Sequence, residues 1–525
     1  MQRSLDGGRA AAKHTRDMLC EPYLLDPTPD GVHVVWHTEA PGSHHAVLVG
    51  PAVAGMTEER ARAAATGTPG EGEGWRRFTA GTTELSRTRE DQESSVPGRV
   101  YPIVTRRPVH RHLATVTGLA AGRTPYRVVS GGTVTQAYTL APAPPPDRPV
   151  RLLLTSDHQL KPMVPANLAK VAETAGVTFD GVLMAGDMVN APDRASEWFD
   201  TTAEPPFFRT FERILAHSPI YPAIGNHEVM GRWSDTATLD AQFNDPQPGD
   251  WNITTYQEMF PYPRSESGGQ RWWSRTIGDV HVICLFATQV WRTPHPEGRG
   301  KFQEALEDVD CPERWGHGQF IFEPIKRGSR QFAFLEGELA SPAARAARYR
   351  VVMFHHPSHG LGSHSVPPYT DPVRVVGTKS IRYEYPLADD YILRDVEPLL
   401  SAAGVHLVLN GHSHVWNRFR NAAGVNWLET SNVGNSYGAY DVTSGMTRWY
   451  PPGYVLQGDP GGLQPIVPTV APYVRSDGVP LPFVASNEIT VFSLLDSAAG
   501  VVRSYRHDTR QPASPAVLFD EFSLT

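Results

Sequence analysis

Residues 150–190 read VRLLLTSDHQLKPMVPANLAKVAETAGVTFDGVLMAGDMVN. Residues 150–155 form a short apolar run, 165–176 carry helical spacing and a glycine stop, and 181–185 form a second apolar run. Strand, helix and strand in that order predict a βαβ unit and a parallel sheet. A polar cluster follows each run: Asp157-His158-Gln159 after the first, Gly186-Asp187-Met188-Val189-Asn190 after the second. In open α/β sheets ligands bind beyond the carboxyl ends of the strands, so both clusters are candidate site residues.

Outward from this stretch the alternation recurs. Residues 331–339 and 395–403 read as helices, and 350–354 and 405–409 as strands. Three further clusters stand at strand ends: Gly225-Asn226-His227-Glu228, His355-His356-Pro357 and Gly411-His412-Ser413-His414. Residues 228–276 and 288–328 read as long inserted loops rich in Trp, Pro and Gly, a length that is often functional in a compact domain. The last hundred or so residues read as loops and strands, with a final apolar run over 488–495.

Before residue 140 the pattern is β-rich. Runs at 31–38, 45–49, 113–117 and 125–129, punctuated by turn residues, predict a small sandwich, and 55–98 reads as a long loop. The stretch 119–126 resembles the corner of fibronectin type III-like modules, with Tyr126 tying its hydroxyl back to the loop. Residues 141–149, APAPPPDRP, read as a stiff linker. The expected organisation is a tail over 1–20, a β-sandwich over 21–140, the linker, and an α/β domain over 150–525 that carries the strand-end clusters.

The net charge of −8 lacks the positive excess that binding a phosphate backbone needs, so nucleic acid is not an expected partner. Three cysteines are no disulfide framework, and Cys284 in its apolar run reads as an inert buried thiol. No segment has the apolar length of a signal peptide or a membrane span. No membrane partner and a cytoplasmic location are therefore expected, or secretion if an export signal has been removed. A homodimer is compatible with this reading.

The clusters suit a pair of cations. Two divalent ions about 3.5–4 Å apart repel unless an anion bridges them, and Asp187 is the most plausible bridge. Neutral imidazoles at His355, His412 and His414 suit Zn, Fe or Mn, and Asn226 offers a carbonyl oxygen. His356 competes with His355 for one ligand role; the alternatives for it are a hydrogen-bonding partner of a ligand or a substrate contact. Arg194 offers a planar fork to a phosphate, or is a surface arginine beside Asp193. His359 and His364 line the pocket or face solvent. Trp233, Trp251, Trp272 and Trp273 wall a site or simply pack.

In order and form these five motifs resemble the calcineurin-like metallophosphoesterase superfamily over residues 150–420. With the N-terminal sandwich included, the chain is similar to its purple acid phosphatase-like branch. The resemblance implies a four-layer α/β/β/α sandwich with two metal ions at the strand ends. Asp157 and His414 would hold the first metal, Asn226, His355 and His412 the second, and Asp187 both. His227 would face substrate as general acid. Gln159 stands where many members have histidine and would ligate through its amide oxygen or hydrogen-bond a bound water. Asn190 stands where the purple branch has a tyrosinate, so no purple colour is expected and Mn, Zn, Fe and Ca all remain candidates. The implied reaction is hydrolysis of a small phosphate monoester by a hydroxide bridging the metals. A cyclic-nucleotide or phospholipid-headgroup diesterase, and a non-catalytic binding protein on a degenerate scaffold, are the alternatives.

Overall fold

The computed structural model describes residues 18–67, 74–245, 249–291, 303–304, 319–357, 360–362, 369–371, 373–376, 381–384, 386–434, 436–439 and 470–525. Two large sheets organise them. The first contains the parallel strands Arg151–Thr155, Gly181–Met184 and Pro219–Pro222. The second contains Val280–Cys284, Tyr349–Met353, Leu407–Asn410 and Asn426–Thr430, also parallel to one another. These strands are buried on both faces and mostly apolar, because layers cover them on either side.

The covering makes four layers. Leu152, Leu154, Leu183 and Tyr221 of the first sheet meet Val282, Val351, Leu407 and Leu409 of the second in one core. Outside the first sheet, the helices Val164–Ala175 and Phe207–Leu215 bury Leu168, Val171, Phe211 and Ile214. Outside the second, Arg330–Leu339 and Glu397–Ala402 bury Phe332, Leu335 and Leu400. Each large apolar side chain so buried contributes about 1.5–3 kcal/mol. Where a helix was expected over 395–403, a π-helical turn Ile392–Val396 leads into Glu397–Ala402.

The N-terminal region is a β-sandwich, but its first sheet is shared. Tyr23–Thr28 pairs in parallel with Pro219–Pro222, and Gly31–Thr38, His110–Val116 and Gly81–Glu84 follow in the same sheet. Ala46–Val49, Thr124–Ser130 and Arg76–Thr79 form the opposing sheet. Between them lie Val34, Trp36, Val47, Val116 and Val128. Residues 55–98, read as a loop, instead hold the helix Glu58–Thr66 and three short strands. Thr57 caps the helix, and its alanines pack under Trp75. The Tyr126 hydroxyl does not return to its own loop: it donates to Ala216 O at 2.8 Å, at the end of the Phe207–Leu215 helix. The proline-rich stretch is packed as well, with Ala143 N donating to Thr28 O at 2.8 Å and Asp279 N to Arg148 O at 3.0 Å.

At the other edge, Ile489–Asp496 pairs antiparallel with Arg151–Thr155 and continues into Val501–Asp508 and Val517–Ser523. Among the described residues no helix is long and apolar enough to cross a membrane.

Candidate metal centre

Five strands end at one place. Thr155 is level with Met184 and Met184 with Pro222 in the first sheet, as Met353 is with Leu409 in the second. The turns leaving them are tied together. Asp157 N donates to Gly186 O at 3.0 Å, His412 N donates to Asp157 Oδ1 at 3.0 Å, and His355 Nδ1 lies 2.7 Å from Ala185 O.

That last bond sets the tautomer. With Nδ1–H given to a carbonyl, the neutral His355 ring aims its Nε2 lone pair inward. There it meets only acceptors: Asp187 Oδ2 at 3.1 Å and Asn226 Oδ1 at 3.1 Å. His412 Nδ1 lies 3.0 Å from the same Asn226 oxygen, and His414 Nε2 lies 3.4 Å from Asp157 Oδ1. Asp157, Asp187 and His355 are fully or almost fully buried. Acceptor atoms gathered in a buried place are the donor set of a cation site, and without a cation a proton must take its place. Thus in the metal-free protein burial disfavours the His355 imidazolium, but Asp187 outweighs it and raises the pKa well above the ordinary value. Burial likewise raises Asp187, and the His355 and His227 side chains more than reverse it.

Two groups of ligand atoms are close enough to share an ion: Asp157 with Asp187 and His355, and His355 with His356 and His412. His356 thus stands beside His355 rather than apart from it. Its Nδ1 is 2.9 Å from Thr288 Oγ1 and its ring stacks on His412 at 3.7 Å. Gln159 approaches Asp187 Oδ2 through its amide nitrogen, at 3.3 Å; rotating the amide by half a turn would present the oxygen instead.

The backbone is strained in the same place. Among the described residues eight non-glycines have positive φ, and Asp157, Gln159, Leu160, Asp187, His412 and His414 are six of them. A Cβ at Gly225 would overlap the Asp187 carboxylate, and one at Gly411 would overlap that of Asp157. These two glycines therefore keep open the space that the two aspartates occupy.

The calcineurin-like phosphoesterase family model matches residues 150–416, which span all five strands and their clusters. The chain belongs to that family. It is a metal-dependent phosphoester hydrolase, and a dinuclear metal site is what the family implies for these residues. No curated protein matches the chain. Among solved structures, a purple acid phosphatase from yellow lupin (Lupinus luteus) seeds aligns with a TM-score of 0.53 at 15% identity, covering 95% of this chain and 73% of that one, which shows a shared fold. A structure of PhoD aligns with a TM-score of 0.43 at 11% identity, covering 96% and 92%.

Two carboxylates of this phosphoesterase support the ligand turns and were not singled out in the sequence. Glu228 accepts from Asp187 N, Met188 N and Gly225 N at 2.8, 2.8 and 2.7 Å. Glu429 accepts from Ser413 N at 2.6 Å and Asn417 Nδ2 at 2.8 Å. Burial, with Asp187 beside one and Asp157 near the other, raises each to about 8. Position at a strand end, next to Gly-Asn-His in one case, was the available signal.

His227 stands beside the cluster, half-buried. Its main-chain N donates to Asp187 Oδ1 at 2.8 Å, its Nδ1 lies 2.7 Å from Asn190 O, and its ring stacks on Phe243 at 4.6 Å. Arg194 does not serve as a free phosphate contact. Its guanidinium is committed to Asp91 at 3.1 Å, Glu197 at 2.8 Å and Asp240 at 3.2 Å. Glu197 in turn accepts from Asn190 N at 2.6 Å, so Arg194 steadies the turn that holds His227. The tryptophans pack rather than wall the site. Trp272 and Trp273 are fully buried, Trp251 meets Phe286 and Phe322, and Trp233 lies over Arg89. His359 and His364 lie outside the described residues.

Proposed function

We propose that this phosphoesterase hydrolyses phosphate monoesters, with His227 protonating the departing alkoxide. The observation that carries the reading is the buried convergence of Asp157, Asp187, Asn226, His355 and His412 with an imidazole fixed at its edge. Asp157 and His414 would hold one metal ion, Asn226, His355 and His412 the other, and Asp187 both. When bound, the two ions supply Lewis acidity and an activated water for attack on phosphorus. Mn, Zn, Fe and Ca are the ions to compare, since imidazole favours the first three and the carboxylates admit the fourth.

The chain's own residues do the rest. The Asn190 carbonyl fixes the His227 Nδ1–H, which leaves Nε2 to carry and deliver a proton. Stacking on Phe243 holds the ring plane. The buried turns on Glu228 and Glu429 keep the ligand atoms in place before substrate arrives. In His227→Ala we expect metal content to be retained and turnover of alkyl monoesters to fall about 10²–10⁴-fold, with a smaller loss on aryl esters whose leaving group needs no proton. Full activity on alkyl esters in that variant would remove His227 from the mechanism.

A further inference from the structure

We propose that Lys161 is a substrate-binding residue, and that its ammonium meets the negative charge by which a phosphate monoester dianion exceeds a diester monoanion. This rests on the phosphoesterase reading above and specifies its substrate class.

The placement of Lys161 is built by the turn of the first motif. Asp157, Gln159 and Leu160 take φ of 54°, 37° and 57°, and Lys161 N then donates to His158 O at 2.8 Å. The turn carries the half-buried Lys161 side chain to Asn190, whose Oδ1 accepts from Nζ at 3.3 Å. Asn190 uses its other oxygen, on the main chain, to hold His227 Nδ1 at 2.7 Å. One residue thus positions both the candidate acid and the lysine. Where the resemblance to the purple branch puts a metal-binding phenolate, this chain has an amide that anchors a cation.

Three facts distinguish this lysine from an ordinary surface charge. Its ammonium makes one hydrogen bond among the described residues, to Asn190, so of its three donors two are to spare. Among the described residues no carboxylate lies within ion-pair distance of it, whereas the buried arginines nearby are each paired. Its partner Asn190 follows Asp187 by three residues and holds His227, which places the ammonium at the rim of the metal centre, where it feels Glu204 and Glu197 as well as Asp187 and Asp157. A partly desolvated cation with no described carboxylate in ion-pair contact, beside a site for phosphate esters, is complementary to a dianionic phosphoryl group.

The test compares the wild type with Lys161→Met and Lys161→Arg, each reconstituted with Mn²⁺. It measures metal content, calorimetric binding of inorganic phosphate, and kcat/KM on p-nitrophenyl phosphate and on bis(p-nitrophenyl) phosphate. We expect Lys161→Met to keep its metal, to bind phosphate about 10-fold or more weakly, and to lose about 10–100-fold on the monoester but under about 3-fold on the diester. Lys161→Arg should recover most of the monoester activity and of the phosphate affinity. Equal loss on both esters, unchanged phosphate affinity, or loss of metal in Lys161→Met would each overturn the proposal. If the wild type cleaves neither ester, the phosphoesterase reading fails instead, and the phosphate-binding comparison still decides the role of Lys161.

Discussion

Two clusters of buried charge lie on either side of Asn190, and they are built on opposite rules. In the seam between the N-terminal sandwich and the α/β layers, the carboxylates of Glu90, Asp91, Asp193, Glu197 and Asp200 are each paired with an arginine. Arg89 binds Asp193 at 2.7 Å, Arg107 binds Glu90 at 2.8 Å and Asp200 at 2.7 Å, and Arg194 binds Asp91 and Glu197. In the metal centre Asp157 and Asp187 face, among the described residues, imidazoles and amides rather than guanidinium groups. A guanidinium is permanently charged, so the seam is complete as folded. An imidazole can give up its proton to a cation, so the centre is complete only when loaded. The difference separates a joint from a working site, although both consist of buried acids and bases.

That contrast is sharpest in substitution. Asp187→Asn should lower turnover at least about 100-fold while the fold is retained, because the acid proposed to serve both metals is gone; unchanged turnover would deny it the bridging role. Arg107→Met should do the reverse. Leaving Glu90 buried without a cation is expected to cost about 3–5 kcal/mol in urea denaturation, with near-normal activity per folded chain. A loss under about 1 kcal/mol would make the seam no better than a set of surface pairs.

Asp390 is an intermediate case, a buried carboxyl served among the described residues by the backbone N–H groups of Tyr369, Ile392 and Leu393. Burial outweighs those bonds and raises it to about 6. Because the folded value lies above the unfolded one, its contribution to stability is fully present below about pH 4 and is lost as pH rises through 6. Asp390→Asn should therefore flatten the decline in stability over that window, and an unchanged slope would assign the titration elsewhere. The smallest effect concerns the outer cover of the seam. Trp233 is 45% exposed and lies 3.8 Å from the Arg89 guanidinium, so Trp233→Ala should cost only about 0.5–1 kcal/mol.

The strand-end motifs were legible because their strands are buried on both faces and read as mostly apolar runs. The βαβ unit over 151–184 and the clusters at 157, 187, 226, 355 and 412 follow directly from that pattern. What the pattern could not show is pairing between distant segments. The parallel pairing of Tyr23–Thr28 with Pro219–Pro222 makes the sandwich continuous with the α/β sheet, yet it leaves no local mark. Arg194 failed as a phosphate contact for the same reason: its partners Asp91 and Asp240 are remote in sequence. The helix Glu58–Thr66 was hidden by alanine, whose small side chain is a weak periodic signal although it is a good helix former. Glu228 and Glu429 were obscured because a lone acid at a strand end resembles any turn residue until the N–H groups it accepts are seen.

The acids of the metal centre, unlike those of the seam, are expected to be completed by ions from outside the chain. Elemental mass spectrometry of the purified chain after reconstitution with Mn, Zn, Fe or Ca tests this directly. About two equivalents per chain are expected, falling to about one or fewer in Asp187→Asn. A wild-type chain that stays metal-free with all four ions, or an Asp187→Asn variant that still binds two, would contradict it.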